Sequence, residues 1–224
     1  MTGAGMMDCK KALIEADGDY DKAQDIIRER GKLVAAKRAD RSATEGVVVS
    51  KIVGQKGYML CLACETDFVA KNSEFSATAN EILDIAIAAD AADLEALNAV
   101  AADGRTVADK VTEKSGQTGE KVELVYYAKI EAPMSVTYIH TNHKLGTLIG
   151  FNKEIGMEVA KDVAMQAAAM APISISREDC DPAVIEHERS IGREQARLDG
   201  KPEAMLDKIA EGKVNKFLTE NTLL

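Results

Sequence analysis

Tryptophan is absent from the 224 residues, and the four Phe and five Tyr make up only 4 % of the chain. An aromatic platform on which bases or sugars could stack is therefore missing. Positive charge is also scarce, with 28 Lys and Arg against 37 Asp and Glu and a net charge of −9. Binding along a nucleic-acid backbone needs clustered cations and counterion release, so nucleic acid is not expected as the main partner. No apolar run approaches the roughly 18 to 20 residues of a membrane-spanning helix. The start, Met1-Thr2-Gly3-Ala4-Gly5, has neither a basic leader nor a long apolar stretch, and no export signal is expected. Cysteine is limited to positions 9, 61, 64 and 180. Cys61-Leu62-Ala63-Cys64 lacks a second pair or a histidine at ligand spacing, which makes it a poor zinc site. It also lies in an apolar run that reads as a strand, whereas a redox pair opens a helix. Free, buried or half-buried thiols in a reduced, cytoplasmic protein are the expectation.

What is plentiful is alanine, 34 residues within a hydrophobic share of 46 %. That composition describes helices packed closely around a modest core of large residues. Met6, Cys9, Leu13 and Ala16 stand at helical spacing, and Gly18 stops the run. A second helix starts near Asp19, which can cap free amides, carries Tyr20, Ala23, Ile26 and Ile27 on one face, and is expected to stop at Gly31. Such a hairpin cannot close a core alone, so a third helix is expected at Lys32 to Ala39. Residues 37 to 44 read as a charged linker.

From Gly46 the pattern turns to strands, with Val47 to Val53, a turn at Gly54 to Gly57 and a return strand from Tyr58 to Cys64. A helix from about Ser73 to Ala89 aligns Phe75, Ala79, Ile82 and Ala86. Helical patterns at 91 to 102 and 106 to 115, a loop at Ser115 to Gly119 and a strand from Lys121 to Ile130 follow. Strands at Met134 to His140 and Leu145 to Phe151 and a helix at Ile155 to Met170 then repeat the order, about 90 residues on. Two similar α+β halves are predicted, followed by an antiparallel helical hairpin at about 182 to 218, with Pro182 and Pro202 in the first turns.

The chain carries little chemistry. No phosphate loop with its Lys-Ser/Thr is present, and Asn152-Lys153-Glu154-Ile155 lacks the Asp of a guanine-reading motif, so direct nucleotide binding is not expected. His140-x-x-His143 spans a turn without a third ligand, and no metal or other cofactor is expected. No Ser or Cys has the setting of a nucleophile. The unusual segment is Glu65-Thr66-Asp67-Phe68-Val69-Ala70-Lys71-Asn72. Phe68 among Asp, Thr and Lys reads either as a core anchor that folds back or as an exposed aromatic hot spot on a strand–loop–helix junction. Lys10, Lys11, Lys37 and Arg38 read either as solvated cations or as contacts.

Two segments, Thr2-Gly3-Ala4-Gly5-Met6-Met7-Asp8-Cys9-Lys10-Lys11-Ala12-Leu13 with Gly18-Asp19, and Glu65-Thr66-Asp67-Phe68-Val69-Ala70, closely resemble the signature segments of the bacterial elongation factor Ts family. The resemblance continues through Gly119-Glu120-Lys121-Val122, Tyr138-Ile139-His140, Ala160 to Gln166 and Gly212 to Phe217, over essentially the whole chain. It implies a guanine nucleotide exchange factor for elongation factor Tu, working without covalent chemistry. The implied plan is a ubiquitin-associated-like helical domain at 1–42, a first α+β core subdomain at 43–132 and a second at 133–224 that includes the hairpin. Thr66, Asp67, Phe68 and Val69 would form the wedge that enters the partner's nucleotide-binding domain and perturbs its Mg²⁺ site. Met6, Met7 and Lys10, with Arg38, would contact the same domain, and Gly119 and His140 would lie at the core interface. The alternative is a binding module whose N-terminal helices recognise a small folded partner without promoting exchange.

Two departures from the family pattern concern the ends. A helix precedes Thr-Gly-Ala-Gly in the family, where only Met1 does here, and relatives run on past Leu223-Leu224. An incomplete N-terminal bundle and a second sheet short of a strand are expected, with lower stability and weaker partner binding than an extended form. Thr118 replaces a frequent aliphatic residue.

Overall fold

The computed structural model describes residues 4–224, so Thr2 and Gly3 of the first signature segment lie outside the described residues. The fold is α+β, and the chain divides into two compact units, at Ala164–Met165.

In the first unit, helix α1 (Met6–Glu15) buries Ala12 completely. Asp17 and Gly18 then take positive φ, 51° and 82°, to reverse the chain. The Asp19 side chain accepts a hydrogen bond from the Lys22 amide at 3.0 Å and starts α2 (Tyr20–Lys37). That helix does not stop at Gly31, and the separate third helix expected at Lys32 to Ala39 is simply its continuation. Gly31 is a packing position: it faces Gly116 of a later helix so closely that a Cβ on Gly116 would stand 2.4 Å from the Gly31 Cα. Close backbone approach, rather than capping, explains this glycine, and that later helix packs on α2.

Strands β1 (Glu45–Val53) and β2 (Lys56–Cys64) pair antiparallel across a turn at Gly54, with Val47 opposite Leu62 and Val49 opposite Leu60. Their alternation sends these four side chains with Tyr58 and Cys64 to one face. After one turn of helix, α3 (Asp67–Ala70), the Asn72 side chain caps α4 (Ser73–Ala89). Phe75, Ile82 and Leu83 of α4 lie over that face with Leu60 and Leu62, each at most 1 % exposed. The predicted helix at 91–102 shortens to α5 (Leu94–Ala99), because β3 (Ala101–Ala102) and β4 (Arg105–Thr106) form a small ribbon. A capping box between Thr106 and Asp109 then starts α6 (Val107–Thr118).

The expected loop at 115–118 is also helical. Ser115 is buried rather than solvated, and its Oγ accepts from the Val122 amide at 3.0 Å, which ties the helix end to the following strand. The helix ends only at Gly119, whose φ of 72° suits a residue without a Cβ. Strand β5 (Glu123–Glu131) then joins β2, in the order β1-β2-β5.

The hairpin of β6 (Met134–Ile139) and β7 (Gly146–Phe151) lies against the opposite face of that sheet. The Val48 amide donates to the His143 carbonyl at 2.7 Å, and Ser135 Oγ donates to the Gln55 carbonyl at 2.8 Å. Helix α7 (Met157–Met170) packs on the hairpin through Ala160 and Ala164, beside Val136. In the second unit α8 (Pro182–Leu198) and α9 (Glu203–Asn221) form the predicted antiparallel hairpin, closing Gly192 on Ala210 and burying Leu206, Val214 and Leu218. Pro182 opens α8 as expected, whereas Pro202 stands one position before α9, as its N-cap.

Candidate functional site: the junction after strand β2

The end of β2 exhausts a hydrogen-bond ladder. Cys64 pairs with Glu45, and its side chain is wholly buried, with its thiol pushed up to about 12, chiefly by burial. Beyond it the chain must reverse into α4. Thr66 adopts extended backbone and its Oγ1 accepts from the Val69 amide at 3.4 Å, which starts α3. Val69 packs against the main core and Ala70 is buried, so this single turn is rooted on its C-terminal side. Phe68 is thereby turned outward and is 84 % exposed. The reading of Phe68 as a core anchor is overturned, since Val69 and Ala70 do the anchoring.

Asp67 flanks Phe68 and pairs with Lys71 at 2.6 Å. The hydrogen bond from that ammonium holds the carboxyl below the usual carboxylate range, so an anionic group sits beside the exposed ring at neutral pH.

Two carboxylates hold the turn from behind. Glu120 accepts from the Glu65 amide at 3.1 Å, the Thr66 amide at 3.0 Å and the Thr66 hydroxyl at 2.6 Å. Glu65 in turn accepts from the Lys121 amide at 2.6 Å and from Arg38 Nη1 at 2.9 Å. The Lys121 amide first, and Arg38 after it, lower the pKa of Glu65. Residues about 55 positions apart in sequence are joined reciprocally, each acid taking backbone amides beside the other.

The other predicted contact residues fall into three groups. Arg38 and Gly119 are drawn into the junction, Arg38 by bonding Glu65 and Gly119 by ending α6 immediately before Glu120. Met6 and Met7, 85 % and 61 % exposed, and Lys10 stand on the outer side of α1. His140 closes β6, with its Nδ1 2.9 Å from the Tyr138 hydroxyl, and its carbonyl accepts from the His143 amide. A groove of about 550 Å³ lined by Asp67, Lys71, Asn142, His143 and Lys144 sets that turn beside α3. Sequence reasoning gave no role to Glu65 or Glu120, although both lie inside the motifs it singled out.

Among the described residues no three or more His, Cys, Asp or Glu gather in a way that could hold a metal ion, and no helix is long and apolar enough to cross a membrane. No disulfide joins the four cysteines, of which Cys64 and Cys180 are buried and Cys9 and Cys61 half-buried, as expected. The junction presents an exposed apolar ring with a charged neighbour, on a turn bonded by Glu120.

The sequence profile described as Elongation factor TS matches residues 65–224, beginning at the junction itself. Across the full chain, the sequence is 48 % identical to Elongation factor Ts of Porphyromonas gingivalis, covering 82 % of that protein. It is 46 % identical to the protein of the same name from Cytophaga hutchinsonii, covering 83 % of it. The chain belongs to the elongation factor Ts family. That makes it a factor of translation elongation, shorter than these relatives. Elongation factor Ts of Hydrogenobaculum is 45 % identical, again over the whole of this chain.

Proposed function

We propose that the chain is a guanine nucleotide exchange factor, cytoplasmic, which binds elongation factor Tu carrying GDP and promotes release of the nucleotide so that GTP can bind. The observation that carries this reading is the outward Phe68 on a turn held by Glu120 and Val69, in a member of this family. Phe68 and Asp67 form the wedge, supported by Thr66 and Val69. Met6, Met7 and Lys10 make a second contact from α1, while Gly119 and His140 border the core contact. Arg38 contributes chiefly by holding Glu65. The chain itself binds no nucleotide and performs no covalent chemistry.

The mechanism is linkage. If the exchange factor and GDP weaken each other on one shared partner, the coupling is reciprocal, so binding energy gained by the factor is used to distort the nucleotide site. Burying one Phe contributes about 1.5–3 kcal/mol, roughly one to two factors of ten in an equilibrium. Displacing a tightly held nucleotide takes more than that, so the wedge works together with the wider interface and with loss of Mg²⁺ coordination, which leaves phosphate charge unneutralised.

The test is release of a fluorescent GDP analogue from elongation factor Tu. This chain is expected to accelerate it, and Phe68→Ala to slow it with the fold intact. Stable co-purification with the partner without any acceleration would instead favour a binding module.

A further inference from the structure

We infer that Glu120 is a positioning residue for the wedge, acting on Phe68 through Thr66; the inference rests on the exchange reading above. Past Cys64 the β1–β2 ladder is spent, so the amides of Glu65 and Thr66 are left without a strand partner. Glu120 Oε2 takes both of them, while Oε1 takes the Thr66 hydroxyl proton. That last bond orients the Thr66 side chain toward α3. So held, the hydroxyl oxygen accepts from the Val69 amide, which starts α3.

The chain of contacts therefore runs from Glu120 through Thr66 to Val69, with Phe68 lying inside the turn that it closes. Gly119 delivers Glu120 by taking a φ of 72°, and the Lys121 amide locks Glu65 in return. The wedge is held by the Glu120 side chain from a second segment rather than by its own local propensity. Four residues of helix have little stability of their own.

The test uses the full chain and the fluorescent GDP release assay. Glu120→Ala is expected to slow release about tenfold, as a displaced binding group does. Glu120→Asp keeps the charge but withdraws the carboxylate by one methylene, and is expected to slow release similarly; it also serves if the alanine variant fails to fold. Glu120→Gln is expected to stay within about twofold of the parent, because its oxygen can accept from both amides and its NH₂ can donate to a reversed Thr66 hydroxyl. Glu120→Ala combined with Phe68→Ala should be no slower than Phe68→Ala alone, since one residue acts through the other. Amide exchange should speed up at Glu65 and Thr66 while β1 and β2 stay protected.

Parent-like release in Glu120→Ala or Glu120→Asp, alongside slow release in Phe68→Ala, would overturn the positioning role and leave the wedge standing. A double variant slowed by the product of the single effects would also overturn it. Parent-like release in Phe68→Ala would remove the exchange reading and this inference together.

Discussion

Gly31 and Gly116 meet where α2 crosses α6, yet the two positions are not equivalent, and this asymmetry yields a quantitative prediction. A Cβ on Gly31 would lie 3.6 Å from the Gly116 Cα, an ordinary contact. A Cβ on Gly116 would lie 2.4 Å from the Gly31 Cα, 3.4 Å from its carbonyl carbon and 3.5 Å from its nitrogen, all of them backbone atoms. Restoring normal separation in the second case requires the two helices to part by roughly 1 Å, an overpacking strain of about 1–3 kcal/mol. Both substitutions gain up to about 1 kcal/mol of helix propensity, since both positions are inside helices. Gly31→Ala is therefore expected to be neutral or stabilising by up to about 1 kcal/mol, and Gly116→Ala to be destabilising by up to about 2 kcal/mol. Urea unfolding followed by far-UV circular dichroism, with the m-value checked for constancy, measures the difference. If Gly116→Ala proves as stable as Gly31→Ala, the account of α2 running through Gly31 to pack on α6 is wrong.

Other expectations are independent of that contact. Phe75→Ala empties the middle of the core, where Phe75 is 1 % exposed, and is expected to cost about 3–5 kcal/mol in the same denaturation experiment. Asp90 caps α4 at a φ of 47° and accepts from Lys56 at 2.8 Å, Tyr58 at 3.0 Å and Lys129 at 3.2 Å, and these bonds, Lys56 first, hold its carboxyl well below the usual range. A depressed folded-state pKa contributes stability that is present above the unfolded value and is lost as pH falls through the folded one. Asp90→Asn, which tolerates the same backbone, should therefore lose stability relative to the parent at neutral pH. The gap should close as pH falls below about 4, as followed by melting temperature against pH.

Much of the fold could be read from periodicity. The alternation of Val47, Val49, Leu60 and Leu62 and the 3.6-residue spacing of Phe75, Ala79, Ile82 and Ala86 place both elements on one core. The misreadings share a physical cause. Gly31 and the Ser115 to Thr118 stretch look like punctuation because small and polar residues usually end helices. Here the glycine admits another backbone, and Ser115 is buried against Val122. Which way Phe68 faces was not legible either, because the roll of a one-turn helix is set by Val69 and Ala70 packing on residues distant in sequence. The pairing of Glu65 with Glu120 and Lys121 leaves no local signal at all. Two acids 55 residues apart become neighbours only when β2 and the end of α6 are brought together.

The central claim is that the exposed ring of Phe68 is used to drive nucleotide from a partner. It is tested most directly by the rate at which this chain and its Phe68→Ala variant release a fluorescent GDP analogue from elongation factor Tu. The prediction is a slowing of about tenfold to a hundredfold in the variant, with an unchanged far-UV spectrum and melting temperature. Equal release rates for the two proteins would contradict it.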